Sequence, residues 1–156
     1  MTVPWHESRT AFAEAAQWFV ETTGRVAGRW ERPGLGEWDV RALVGHTSRA
    51  LATVETYLAR PAPQVDVESA TDYYLATRAI AAGMRLADYL PTRTFELVVH
   101  TTDLCVALEL PPHAPPAPAR QALDIVAALA LADGRAPALL MAATGRAALP
   151  AGFTVL

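Results

Sequence analysis

Glu96 and His100 stand four residues apart in the stretch PTRTFELVVHTTDLCVALEL, residues 91–110. At about 100° per residue, a helix through this stretch puts Glu96, His100, Asp103 and Ala107 on one stripe. Val99 and Val106 flank the stripe on one side, and Leu97, Leu104 and Leu108 on the other. An amphipathic helix ordinarily sets its charges opposite its apolar face. Here the ionisable groups run down the middle of that face. A buried carboxylate and imidazole are costly unless each has a partner, so something must sit against the stripe, and a metal ion is the simplest candidate. Side chains four apart project together at about 5–6 Å between Cβ atoms, which lets one oxygen and one nitrogen reach the same ion. An E-x-x-x-H pair by itself is a weak signal, because such pairs are common on solvated helices; the apolar flanks strengthen this one.

A third ligand must come from another element, and His46 is the remaining histidine on a helical face. His46, Glu96 and His100 would form a two-His, one-carboxylate set with a position open for water or substrate. Such sets suit catalytic Zn²⁺, and also Fe²⁺, Mn²⁺ or Ni²⁺. Asp103, a turn beyond His100, is placed to orient that imidazole or a metal-bound water from behind. Arg93, a turn before Glu96, is placed to bind a substrate carboxylate or to pair with Glu96. The competing reading is a structural polar network in which Glu96, His100 and Asp103 bond among themselves. Other chemistries find little support. Ser8, Ser48 and Ser69 lack any nucleophile-elbow context, and no Gly-rich phosphate loop is present. Cys105 is the single cysteine, which excludes an internal disulfide and a multi-Cys zinc site. It falls opposite the Glu96–His100 stripe and reads as inert.

The elements that must position these groups are helices. Pro91 tolerates a helix start but not its interior, and Thr92 suits an N-cap, so the central helix is expected to begin there. Residues 7–29 form a first amphipathic helix through Phe12, Ala15, Ala16, Phe19, Thr22, Thr23 and Val26, with Ser8 as its N-cap and Gly24 and Gly28 weakening its last turns. WERPGLGEW, residues 30–38, reads as a loop whose two tryptophans plug the core beneath it. Asp39 caps a second helix over residues 40–59, with Val40, Leu43, Val44, Thr47, Ala50, Leu51, Val54 and Leu58 inward and His46 at the edge of that face. A third helix over residues 66–82 carries Tyr73, Tyr74, Leu75 and Ile80, and Gly83 breaks it. PPHAPPAP, residues 111–118, is a rigid extended linker with His113 exposed. A further helix over residues 119–132, a short one over 137–144 and an extended or strand-like tail at 153–156 follow.

With 156 residues, 52% of them hydrophobic and 19% charged, the chain is one globular domain with a sizeable core. Ala and Leu dominate and no strict alternation appears, so the class is mainly α. A net charge of −3 leaves no footprint for nucleic acid or an anionic membrane. No leader pattern and no apolar run of about 18 residues is present, which points to the cytoplasm.

Two blocks, PGLGEWDVRALVGHTSRAL (residues 33–51) and GMRLADYLPTRTFELVVHTTDL (residues 83–104), together resemble the DinB-like superfamily. Within it the likeness is to the N-terminal domain of mycothiol-dependent maleylpyruvate isomerases, and the ending ALLMAATGRAALPAGFTVL is similar to tails in that group. The resemblance implies a four-helix bundle with a divalent metal near one end, held by a histidine of the second helix and a Glu-x-x-x-His pair of the fourth. Those positions fall on His46, Glu96 and His100. It also implies mycothiol as thiol cosubstrate, a small electrophile such as maleylpyruvate, and isomerase or thiol S-transferase chemistry. On this reading residues 1–110 are the metal-binding bundle, and 111–156 are a Pro-rich linker with a C-terminal helix and tail packed on it. The chain departs from the family in its shortened middle, Pro61 to Pro91. A shortened third helix would open one wall of the bundle, to be closed by a second subunit or else left as a wide, inactive pocket. The alternative is a non-catalytic, metal-stabilised binding or dimerisation module.

Overall fold

The computed structural model describes residues 3–76 and 83–156. The protein is mainly helical. In chain order the described residues form α1 (Trp5–Thr23), a small hairpin of β1 (Pro33–Leu35) and β2 (Trp38–Asp39), α2 (Val40–Leu58), α3 (Ala70–Ala76), α4 (Leu86–Ala107), α5 (Pro116–Ala132) and α6 (Ala136–Ala143). α4 is the centre. It packs against α1, α2, α3 and α5, and Leu97, Leu104 and Leu108 at its inner surface are essentially inaccessible. Phe19 and Ala15 from α1, Val40 and Leu43 from α2, and Ile125 and Leu129 from α5 complete one core around it.

α4 starts earlier than its proline suggests. Pro91 lies inside the helix, not at its start, and Arg85, not Thr92, occupies the N-cap position. An interior proline removes one N–H and leaves the carbonyl four residues back without its helical donor. That carbonyl belongs to Ala87, and the hydroxyl of buried Ser8 on α1 donates to it at 2.8 Å. Ser8 therefore does not cap α1, whose N-cap is Pro4; it bridges two helices. Thr92 is wholly buried and donates back to the Tyr89 carbonyl at 2.7 Å.

Other boundaries shift for local reasons. α1 ends at Thr23 because Gly24 caps it, yet Val26 beyond the helix still points into the core. The segment 30–38 is not irregular throughout, since β1 and β2 pair antiparallel in it. Trp30 packs on the core as expected, but Trp38 is exposed at the edge of the hairpin. The first amides of α2 find acceptors in this segment: Val40 N donates to Arg32 O at 2.9 Å and Arg41 N to Trp30 O at 3.0 Å. Asp39 caps as its type predicts, accepting from Ala42 N at 2.7 Å.

Of the third helix expected over 66–82, Ala70–Ala76 is observed, opened by Ser69, whose hydroxyl accepts from Asp72 N at 3.1 Å; residues 77–82 lie outside the described residues. The proline-rich stretch is extended only up to Pro115, because Pro116 and Pro118 sit in the first turn of α5, where a missing N–H costs nothing. α5 lies against α1, α3 and α4. The tail 153–156 is extended but forms no strand, and Val155 packs on the core. No helix among the described residues is long and apolar enough to cross a membrane.

Candidate metal centre

α2 and α4 lie side by side, and the pairing brings His46 to His100. Their ring centroids are 4.9 Å apart with planes at 89°. Glu96, one turn earlier on α4, approaches from the same side, with Oε2 3.4 Å from His100 Nε2. One ligand atom from each of His46, Glu96 and His100 lies within 4.8 Å of the others. All three residues are half-buried. The stripe thus runs along the rim of the core rather than down its middle: the middle is held by Leu97, Thr101 and Leu104, and Val106 is exposed.

Each of the three has its own supporting partner. Asp103 Oδ2 is 3.1 Å from His100 Nδ1, so a proton on Nδ1 leaves Nε2 facing Glu96 and His46. The hydroxyl of Tyr74, on α3, lies 3.2 Å from Glu96 Oε1 and 3.1 Å from the Thr92 carbonyl, and shares its donation between them. The Trp38 ring covers the His46 ring at 4.6 Å and 43°. Neither Tyr74 nor Trp38 was singled out by spacing. The Tyr73–Tyr74 pair was visible, but nothing local says which of two adjacent tyrosines faces α4. Trp38 precedes the α2 cap, and its approach to His46 depends on the hairpin.

The electrostatics separate the two histidines. The hydrogen bond to Glu96 raises the His100 pKa; burial opposes this, and Asp103 adds to it. Burial lowers the His46 pKa, and the neighbouring His100 lowers it further. Burial pushes Glu96 up, but its bonds with His100 and Tyr74 and the nearby Arg93 outweigh this, and its pKa ends below the usual range. His46 is held neutral, as a metal ligand must be. It makes no hydrogen bond among the described residues.

The donor set fits a divalent ion. Zinc with bonds of about 2.0–2.2 Å takes His and carboxylate donors in a tetrahedron, in which ligand atoms stand roughly 3.4 Å apart, the spacing already present between His100 and Glu96. A ring nitrogen of His46 lies within 4.8 Å of both and would supply the third donor.

Arg93 does not form an ion pair with Glu96 among the described residues; its guanidinium lies over the rings of Tyr73 and Tyr89. Cys105 is buried on the far side of α4 beside Thr22, and burial raises its pKa, so it takes no part here. His113 is exposed beyond α4. A cavity of about 400 Å³ lined by Tyr74, Leu129, Asp133, Arg135 and Val155 includes none of the three candidate ligands. Compared with protein-family models, curated proteins and solved structures, the chain matches none. Fold and site define a mainly helical protein with a candidate two-His, one-carboxylate metal centre.

Proposed function

We propose that this is a divalent-metal-binding protein of the DinB-like helical type, with Zn²⁺ as the first candidate ion and Ni²⁺, Fe²⁺ or Mn²⁺ as the others, acting in thiol-dependent isomerisation or S-transfer on a small electrophile. The observation that carries the metal reading is His46. The polar network on α4 is complete without it, yet a neutral imidazole with no hydrogen bond of its own among the described residues is placed within 4.8 Å of Glu96 and His100. A bound divalent ion would hold a thiol as its thiolate, the nucleophilic form. Asp103 would fix the His100 tautomer, Tyr74 would hold one Glu96 oxygen so that the other is presented, and Trp38 would shield His46 from bulk water. The sequence resemblance alone supplies mycothiol as the thiol and maleylpyruvate as the electrophile. In that isomerisation the thiolate adds to the cis double bond, rotation follows, and the thiolate leaves unchanged.

Two other readings rest on specific features. His100 lies between Glu96 and Asp103, as a purely structural network requires. α6 has no buried residue and exposes Leu140 and Met141, as a non-catalytic binding or dimerisation module would. Elemental mass spectrometry on wild type and His46→Ala after Zn²⁺ loading separates them. Near-stoichiometric metal lost in the variant supports the metal centre, and none in either sinks it. Thiol-dependent turnover lost in the same variant would then remove the non-catalytic module.

A further inference from the structure

We propose that Arg93 and the tyrosines around it form an anion subsite that takes the carboxylate of a small organic acid. The subsite stands on its own geometry; that it serves the substrate of the metal centre rests on the reading above.

Arg93 is one turn before Glu96 on α4, half-buried, and makes no ion pair among the described residues. Its guanidinium carbon lies 5.3 Å from the centre of the Tyr73 ring and 5.0 Å from that of Tyr89. The two rings meet at 73° and form a corner. Nε donates to Thr92 Oγ1 at 3.0 Å, and one terminal nitrogen donates to the Tyr73 hydroxyl at 3.1 Å. These contacts fix the guanidinium plane. A guanidinium has five N–H groups, so three remain for a ligand. The Glu96 carboxylate is near enough to feel this charge but makes no ion pair with it among the described residues, so a half-buried cation is left to gain from an anion brought against its free N–H groups. A planar, immobilised fork recognises a planar carboxylate through paired hydrogen bonds.

The corner is continuous with the metal centre. Tyr74 packs edge-on against Tyr73 and reaches Glu96 with its hydroxyl. At about 1.5 Å of rise per residue, Arg93 lies roughly 5 Å along α4 from Glu96 and about 10 Å from His100. A ligand using both places has its carboxylate a few bonds from the atom that faces His46 and His100. That is the size of a three- to six-carbon acid.

The test is calorimetric titration of succinate, its neutral diamide and inorganic phosphate into EDTA-treated and Zn²⁺-loaded protein at low ionic strength. Succinate is expected to bind the EDTA-treated wild type, at least tenfold more weakly to Arg93→Ala, with the diamide not binding. Arg93→Lys keeps the charge and loses the fork, so it should fall between the two, and it carries the test if Arg93→Ala does not fold. Equal succinate binding by wild type and Arg93→Ala would overturn the subsite, as would no binding by either preparation. Succinate binding only in the Zn²⁺-loaded form and indifferent to Arg93 would also overturn it, while leaving the metal centre intact. Phosphate binding more tightly than succinate would overturn the carboxylate assignment. Arg93-dependent binding in the EDTA-treated protein upholds the subsite even where no metal binds.

Discussion

The Ser8 hydroxyl of α1 donates to the Ala87 carbonyl of α4 at 2.8 Å, and that carbonyl is free because Pro91 has no N–H to give it. Ser8→Ala removes the donor and leaves a half-buried acceptor without its partner, at a cost of about 1–2 kcal/mol. In a Pro91→Ala background the backbone amide restored at that position can serve the same carbonyl, so the loss should shrink. Urea unfolding of both single variants and the double variant measures this. Equal losses in the two backgrounds would show that the bond and the proline are independent.

Gly83 is required for a different reason. A Cβ there would lie 1.9 Å from the Gln64 carbonyl oxygen and 2.8 Å from the Ala62 Cβ. The backbone at this point is also tied to Asp66, whose amide donates to Gly83 O at 2.8 Å and whose carboxylate accepts from Gly83 N at 2.8 Å. Gly83→Ala should destabilise by about 1–3 kcal/mol, as overpacking does, and should expose residues 60–70 to limited proteolysis. A thermal midpoint equal to wild type would contradict the close approach.

Tyr74→Phe removes the hydroxyl that holds Glu96. Loss of such an outer partner typically weakens metal binding about 10–100-fold, measurable by chelator competition. The same variant has an alkaline signature. Burial, the neighbouring Glu96 carboxylate and the bond to it raise the Tyr74 pKa above its ordinary 10.0. A raised folded pKa means that the native state keeps a proton the unfolded chain gives up. The stability from the neutral phenol is full below about pH 10 and falls as pH rises beyond it. Wild type should lose stability above about pH 10 more steeply than Tyr74→Phe; parallel curves would argue against a buried neutral phenol.

His100→Ala should abolish metal binding and leave Glu96 with Tyr74 as its remaining hydrogen-bond partner. Removing one partner of a fully buried pair costs several kcal/mol. The Glu96 and His100 side chains retain 26% and 16% exposure, so about 1–2 kcal/mol is expected here. Unchanged stability and unchanged zinc content together would remove His100 from the site.

What sequence could reveal follows the range of the interactions. The Asp39 cap, the Glu96–His100 pair and the Asp103 contact are set within one helix turn, so residue type and spacing suffice to see them. His46 was legible as the remaining helical histidine, at the edge of the inward face that a period of 3.6 gives α2. Pro91 misled because its tolerance inside α4 depends on the Ser8 hydroxyl, which is 79 residues in the chain from the Ala87 carbonyl it satisfies. Trp38 misled because a large aromatic in a loop reads as a core plug, whereas the hairpin carries it out over His46. That the helix of residues 116–132 packs on the bundle was legible from its apolar positions, but its contacts with α1, α3 and α4 were not, since nothing local in it says which elements it covers.

The central position of α4 bears on the order in which the protein comes apart. Glu96 and His100 ride on the helix that every other large element leans on, whereas α6 buries none of its side chains. Amide hydrogens along residues 97–104 should therefore exchange with solvent only through opening of the whole molecule, and those of α6 through fraying. The seat of the proposed chemistry would be the last part to open.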